Sequence, residues 1–308
     1  MTENRIYFVD VTNRDGVQTS RLGLAKLQKT IINLMLDDMG ITQSEFGFPT
    51  TKHELNYLNG NLELVKREAI KTTKLSGWMR GMAADVEQSF QSVPDLQYVN
   101  LSQSTSEQMI YGKYLGKKTP DDIIAMTKEA VECAKDKGAK IIGVNAEDAS
   151  RSDIDFLIRY AKEAKKSGAY RFRYCDTLGY EDPQTTYDRI YRIAKETQMP
   201  IELHYHNDLG MAVACSVMGA RAAIDAGVDA YINTAINGMG ERAGNADLVS
   251  CLLACLKSAG FKGKYKIDEN IKLDRAWRLA KYTAYAFGVE IPINQPAVGD
   301  NAFAHESG

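Results

Sequence analysis

The chain has 308 residues, 44% of them hydrophobic, and its 38 Lys and Arg and 40 Asp and Glu give a formal net charge of −2. No basic block is present to follow a phosphate backbone, which argues against a nucleic-acid partner. No run of about 18 apolar residues occurs, so we expect no membrane partner and a cytoplasmic location.

Short β-type segments alternate with amphipathic helical segments along the whole chain. The first strand is predicted at residues 6–11 and the first helix at 22–39. Seven more strands are predicted, each followed by a helical stretch, at residues 42–46, 74–80, 96–102, 140–145, 171–175, 201–206 and 230–234. Eight βα units with right-handed crossovers predict a closed (β/α)8 TIM barrel rather than an open doubly wound sheet.

The chain after the eighth helix, near residues 248–259, differs from the repeating part. We expect a catalytic barrel at residues 1–262 and a short C-terminal tail at 263–308. The tail would hold one more helix near 274–287, an extended Pro-rich segment at 291–296 and the start of a linker or subdomain. It ends abruptly at His305-Glu306-Ser307-Gly308, which suggests a truncated chain.

Polar residues collect where seven of the predicted strands end, which is the end of a barrel that carries catalytic groups. In strand order they are Arg14 and Asp15; Arg80; Asn100 and Ser102; Glu147; Asp176 and Thr177; His204 and His206; and the Gly-rich loop at 237–245. A single such residue is commonly part of a salt bridge or a turn. Seven strand ends together indicate one polar site at the barrel mouth.

His204 and His206 alternate with bulky residues in a predicted strand. Residues i and i+2 of a strand share a face, so the two imidazoles should lie side by side and could bind a divalent metal. The alternative is a pair of hydrogen-bonded core histidines. Asp15 would add a carboxylate, and this mixture of ligands suits Mn²⁺, Co²⁺, Fe²⁺ or Zn²⁺ and, less well, Mg²⁺. Of these ions we expect Mn²⁺ or Co²⁺.

A metal with open positions can polarise the carbonyl of a 2-oxo acid. Arg14, next to a ligand in sequence, would then stabilise the alkoxide that forms when the carbonyl carbon is attacked. These residues therefore predict an enzyme that activates a 2-oxo acid.

Two segments carry a family resemblance: Arg14-Asp15-Gly16-Val17-Gln18 with Lys29 beyond it, and His204-x-His206-Asn207-Asp208-x-Gly210. Together they resemble the signatures of the DRE-TIM metallolyase superfamily, in the Claisen-condensing branch of isopropylmalate, homocitrate and Re-type citrate synthases. The segments at 240–245 and 301–308 look like further motifs of this branch. The segments at 143–151 and 173–180 look closest to the Re-type citrate synthases.

The resemblance implies condensation of acetyl-CoA with oxaloacetate, followed by hydrolysis to citrate and CoA, in a protein that forms a homodimer. It implies metal binding by Asp15, His204, His206 and Asn245. Other implied roles are polarisation of the keto oxygen by Arg14, organisation of the site by Glu147, binding of the oxo-acid carboxylate by Thr177 and proton transfer by His305.

The choice of oxo acid can be argued from polarity. A second carboxylate needs hydrogen-bond donors, whereas an isopropyl group needs an apolar wall. Asn13, Arg80, Asn100 and Ser102 are predicted to make the pocket polar, which favours oxaloacetate over 2-oxoisovalerate. One methylene separates oxaloacetate from 2-oxoglutarate and is worth only about 1–3 kcal/mol, so a homocitrate synthase is the main competing assignment.

The same residues are also compatible with three different functions. The first is that of an isopropylmalate synthase-like enzyme, and the second is that of a catalytically silent barrel that binds metal and oxo acid. The third is a cleavage of the HMG-CoA lyase type, which the Gly240-Glu241-Arg242-Ala243-Gly244-Asn245 loop disfavours because it lacks the cysteine of the corresponding lyase loop.

Overall fold

The structure is a computed structural model that describes residues 4–306. Its eight main strands are β1 (Arg5–Asp10), β2 (Gln43–Gly47), β3 (Lys74–Arg80), β4 (Tyr98–Ser104), β5 (Ile141–Glu147), β6 (Arg171–Asp176), β7 (Ile201–Tyr205) and β8 (Ala230–Thr234). All neighbours pair in parallel, and β1 pairs with both β2 and β8, which closes the sheet. The predicted (β/α)8 TIM barrel is therefore confirmed.

Helices cover the outside of the barrel. They are α1 (Lys26–Met39), α2 (Leu55–Lys66), α3 (Ala83–Ser92), α4 (Glu107–Tyr114), α5 (Pro120–Asp136), α6 (Ile154–Ser167), α7 (Pro183–Thr197), α8 (Ala212–Asp225), α9 (Leu248–Lys257) and α10 (Ala276–Phe287). The segment between β4 and β5 holds two helices, α4 and α5, where the sequence predicted one helical stretch.

Local sequence signals explain where the helices begin and end. The Asp182 side chain accepts the backbone N–H groups of Gln184 and Thr185, and Pro183 occupies the first helical position of α7, where a missing N–H costs nothing. At the other end of the βα units, Gly138, Gly168 and Gly227 have positive φ angles of 91°, 118° and 94°. Glycine suits these three αβ turns, because L-residues with side chains rarely adopt that conformation.

The C-terminal part packs against the barrel. A short strand, β9 (Lys266–Ile267), pairs with the start of β1, and Leu279 and Ala280 of α10 are buried in the same core as the barrel helices. The segment 291–296, predicted to be extended, instead turns from residue 293 onwards, and the Gln295 N–H donates to the Pro292 carbonyl. The boundary between residues 262 and 263 stays a prediction.

Within residues 4–306, none of the helices combines the length and the apolar character needed to cross a bilayer.

Candidate metal centre and substrate pocket

His204 lies in β7 and His206 directly follows this strand, and both side chains line the cavity at the barrel mouth, as the alternation of a strand predicts. Both side chains are buried, and their Nε2 atoms are 3.2 Å apart. A β-bridge between His206 and Asn245 brings the loop after β8 against this strand end.

Asp15 joins the histidines from the loop after β1, which is separated from β7 only by β8. Just after β1 the chain turns so that the N–H groups of Arg14, Asp15 and Gly16 all donate to the Val11 carbonyl. This turn places the Asp15 Oδ2 atom 3.5 Å from His204 Nε2 and 4.0 Å from His206 Nε2. These three residues are the one cluster of potential metal ligands found in the part of the chain that the structure describes.

A chain of hydrogen bonds fixes the orientation of the His204 ring. Its Nδ1 lies 2.8 Å from Asn233 Oδ1, and the Asn233 amide donates to Glu202 Oε1 at 2.7 Å. Because Asn233 presents its oxygen, His204 carries its proton on Nδ1 and directs the Nε2 lone pair towards Asp15 and His206. Such outer-shell partners typically orient a metal-binding histidine.

The electrostatics favour the ligating forms of all three residues. Burial alone would raise the pKa of Asp15, but Arg14 and the two histidines hold it below its ordinary value. Burial lowers the pKa of His204, and burial together with His204 lowers the pKa of His206 to about 3. A carboxylate and two neutral imidazoles are the forms that bind a cation.

Two features show that the residues fit a metal ion. The 3.2 Å between the imidazole nitrogens is a spacing expected of two ligands that each lie about 2.1 Å from one ion. Asn245 donates its amide N–H to Asp15 Oδ2, while its own Oδ1 is buried without a hydrogen-bond partner. An orphaned acceptor beside a carboxylate is the kind of oxygen that a divalent ion would satisfy.

Arg14 stands beside these residues with one end of its guanidinium available. Its Nε donates to Glu45 at 2.6 Å and its Nη1 to Asp15 at 3.0 Å, while the group lies 5.5 Å from the centre of the Trp78 ring. Among residues 4–306, no acceptor forms a hydrogen bond with Nη2. Arg14 is thus held rigidly and keeps donors for a ligand.

A network of buried charges fills the barrel interior below Arg14. Glu45 bonds with Arg14 and Arg173, and Arg173 also reaches Glu202, which pairs with Arg171. Burial by itself would raise the pKa of Glu45, but Arg173 and Arg14 lower it to about 2. Through Arg173, the network connects Glu202, which orients Asn233, to Glu45, which binds Arg14.

These groups border a polar cavity of about 220 Å³ at the barrel mouth. Seven predicted residues line it: Arg14, Asp15, Ser102, Glu147, Thr177, His204 and His206. Seven lining residues were not predicted as site residues: Gln18, Phe48, Trp78, Asn145, Arg173, Cys175 and Glu241. Side chains two or four positions apart in a strand point to the same face. Asn145 lies two positions before Glu147, and Cys175 and Arg173 lie two and four positions before Thr177, so this alternation could have identified all three.

Four predicted residues lie away from the cavity. The Asn13 amide donates to the Lys29 carbonyl and to Asn33, and Asn100 donates to Glu45 below the pocket.

The other two predicted residues lie at the surface. Arg80 forms an ion pair with Asp85, and His305 is exposed and does not line the cavity. The polarity of the pocket therefore comes from residues other than Asn13, Arg80 and Asn100.

Glu147 has neighbours of its own at the rim. Its Oε2 accepts a hydrogen bond from Ser104 at 2.5 Å and pairs with Lys113 at 2.7 Å. These contacts hold a carboxylate among the residues that line the cavity.

Comparisons with known proteins show the family and the fold of the chain. A family model described as HMGL-like matches residues 5–282. The chain is 58% identical over 304 residues to a citrate (Re)-synthase of Dehalococcoides mccartyi, covering 99% of this chain and 73% of that protein. It is 39% identical to 2-isopropylmalate synthase 2 of Caldanaerobacter subterraneus, covering 98% and 74%. The fold matches a hydroxymethylglutaryl-CoA lyase of Pseudomonas aeruginosa at 16% identity with a TM-score of 0.72, covering 94% of this chain and 95% of that one.

Proposed function

Since the chain belongs to the HMGL-like family, the DRE-TIM group that the motifs indicated, we propose that it is a citrate (Re)-synthase. It would join acetyl-CoA to oxaloacetate and hydrolyse the product to citrate and CoA. The observation that carries the proposal is the Asp15, His204 and His206 cluster beside Arg14, at the base of a pocket lined with hydrogen-bond donors. The 58% identity to a citrate (Re)-synthase supports this choice among the reactions of the branch.

Members of this family use a divalent metal ion, and Asp15, His204 and His206 would hold it, with Asn245 Oδ1 as a further ligand. When bound, the ion would act as a Lewis acid on the keto group of the oxo acid. We propose Mn²⁺ or Co²⁺, because two imidazoles and a carboxylate suit these ions better than Mg²⁺.

Arg14 would bind the keto oxygen and stabilise the negative charge that develops on it during attack. The free Nη2 end supplies the donor, and the bonds to Glu45 and Asp15 keep the group from moving as charge develops. A donor fixed in advance in a buried site stabilises a transition state more than a mobile one does.

The second carboxylate of oxaloacetate would bind among Ser102, Asn145 and Arg173. With the Asn145 oxygen facing its two donors, it accepts from Arg173 Nη1 at 3.3 Å and Trp78 Nε1 at 3.2 Å. That orientation leaves the Asn145 amide N–H groups to donate to a ligand. An isopropyl group would leave these buried donors unpaired, which disfavours 2-oxoisovalerate.

The chemical steps then follow the family's Claisen chemistry. A base removes a proton from the acetyl methyl group, the resulting enolate attacks the keto carbon, and the new alkoxide takes up a proton. Water then cleaves the thioester and releases CoA. We keep His305 as the proposed proton-transfer residue and Glu147 as the residue that organises the site, on the strength of the resemblance.

The test is thiol release from acetyl-CoA in the presence of Mn²⁺ or Co²⁺, with oxaloacetate, 2-oxoglutarate and 2-oxoisovalerate offered in parallel. We expect turnover with oxaloacetate, its loss in His206→Ala, and its retention in His53→Ala, which removes an exposed histidine far along the chain from the cluster. Preference for 2-oxoglutarate would make the protein a homocitrate synthase. Absence of turnover with all three, together with retained oxo-acid binding, would favour the silent barrel.

A further inference from the structure

The turn that follows β5 contains a buried residue in a strained backbone conformation. Asp148 has φ 63° and ψ 38°, in the left-handed region that Asp tolerates better than most side chains. Its carboxylate is buried and accepts hydrogen bonds from the Ser106 hydroxyl and from Nε and Nη2 of Arg151. The side chain therefore anchors the turn from two directions.

This conformation aims the backbone N–H of Asp148 across to the next strand end. The N–H donates to the Thr177 hydroxyl oxygen at 2.9 Å. A threonine hydroxyl has one proton to donate and two lone pairs that can accept. Within residues 4–306, Thr177 Oγ1 has no other hydrogen-bond partner, so the proton of this hydroxyl has no acceptor in the protein.

Thr177 lines the cavity beside Arg14, His204 and His206. Because the Asp148 N–H occupies one lone pair of its oxygen, the hydroxyl favours the rotamer that points its proton away from the turn. An anionic oxygen in the cavity is the acceptor that such a donor suits, since hydrogen bonds to charged groups are stronger than neutral ones.

We propose that Asp148 is a positioning residue that makes Thr177 a dedicated donor to the carboxylate of the 2-oxo acid. This inference rests on the proposed function, because it assumes that an oxo acid occupies the cavity. Asp148 itself does not touch the substrate. Its contribution is the backbone geometry, which Ser106 and Arg151 hold through the buried carboxylate.

The experiment is a double-mutant cycle of Thr177 and Asp148. Calorimetry in the presence of Mn²⁺ would measure the dissociation constant of oxaloacetate for each variant. Thr177→Val removes the donor, and we expect binding to weaken about ten- to a hundredfold. Asp148→Ala leaves the strained backbone without its anchors and should weaken binding nearly as much. In the Thr177→Val background, Asp148→Ala should weaken binding little further, because the hydroxyl that Asp148 positions is already absent.

Two variants distinguish the effect of the turn conformation from that of the Asp148 charge and from a general loss of folding. Asp148→Asn keeps a residue that tolerates the left-handed region and can still accept from Ser106, so its binding should stay within about threefold of wild type. Arg151→Met removes a half-exposed anchor without opening the core, and its smaller loss should also vanish in the Thr177→Val background. Arg159→Met on α6, which removes an exposed ion pair with Asp121 of α5, is the matched control and should not change binding.

The kinetic constants give a second readout that a general loss of structure would not reproduce. In Asp148→Ala, the KM for oxaloacetate should rise while the KM for acetyl-CoA stays near the wild-type value. The melting temperature of Arg151→Met should also stay near that of the wild type. Additive losses in the cycle, or equal losses in Asp148→Asn and Asp148→Ala, would overturn the inference. Failure of the wild-type protein to bind any 2-oxo acid would instead overturn the proposed function, and this inference with it.

Discussion

The Nε2 atoms of His204 and His206 lie 3.2 Å apart, and Asp15 Oδ2 lies 3.5 Å from the first and 4.0 Å from the second. An ion held by these three atoms would bind the folded chain and not the unfolded one, in which the three residues are far apart. We therefore expect a divalent ion to stabilise the fold measurably. An ion present at 100 times its dissociation constant contributes about 2.7 kcal/mol.

The measurement is thermal unfolding after chelation and after addition of Mn²⁺, Co²⁺, Zn²⁺ or Mg²⁺ at equal concentrations. For a chain of this size, the expected increase in melting temperature is several degrees. His206→Ala should abolish the increase, whereas His53→Ala should retain it, because His53 is exposed and outside the cluster. Equal shifts in both variants would show that the ion binds somewhere else.

We expect the buried ionic network under the pocket to be far more sensitive to mutation than an ion pair at the surface. Glu45 is fully buried and compensates two cations, Arg14 and Arg173. Glu45→Gln keeps the shape but removes the charge, so we expect a loss of about 3–5 kcal/mol in the free energy of unfolding. Urea denaturation would measure it. The control is Asp95→Asn, which breaks the exposed pair with Lys66 and should cost about 1 kcal/mol or less. A loss of that small size in Glu45→Gln would contradict the expectation.

Asp10 makes the stability depend on pH in an unusual direction. Burial raises the pKa of Asp10 to about 7, and the hydrogen bonds from the backbone and hydroxyl of Thr12 offset this only in part, with Asp247 adding repulsion. Between the ordinary value of 3.8 and about 7, the folded protein holds a proton that the unfolded chain has released. The contribution of Asp10 to stability is therefore lost as the pH rises through this window.

Asp10→Asn mimics the protonated side chain and cannot titrate. Compared with this variant, the wild-type protein should lose stability between pH 5 and pH 8, as measured by urea unfolding at both values. The difference between the two proteins is the relevant quantity, since every other titrating group contributes equally to both. A constant difference across this range would show that Asp10 ionises normally.

The sequence was sufficient to bring Asp15, His204 and His206 together as a candidate metal site, because two regular features determine their positions. The alternation of a strand places His204 and His206 on one face, and the parallel barrel brings the end of β1 to the same mouth. The alternation fails where the backbone turns away from the direction of the strand. After Asp10 the chain turns tightly on the Val11 carbonyl, so Asn13 faces α1 instead of the pocket that its neighbour Arg14 enters.

The interior charges were beyond sequence reasoning for a different reason. Arg173 and Glu202 become partners because they occupy paired positions of β6 and β7, and Glu45 reaches Arg173 across the barrel. Neither pairing follows from the pattern along one strand. Each depends on the register between strands and on the width of the closed barrel, which the sequence of a single chain does not specify.

Lys29, part of the first family motif, has a buried partner that connects it to the pocket. Its Nζ lies 2.5 Å from Glu54 Oε1, and Glu54 Oε2 accepts the backbone N–H of Phe48 at 2.8 Å. Phe48 in turn lines the cavity with its ring edge against Trp78. The ion pair therefore holds the loop between β2 and α2 in place.

Lys29→Met would leave the Glu54 carboxylate buried without its cation, and we expect a loss of about 3–5 kcal/mol in the free energy of unfolding. Lys29→Met combined with Glu54→Met should recover most of this loss, because an apolar pair of similar volume needs no compensation. Urea denaturation of the single and double variants would measure both values. A double variant as unstable as the single one would mean that the bond from Phe48 to Glu54, rather than the ion pair, stabilises this loop.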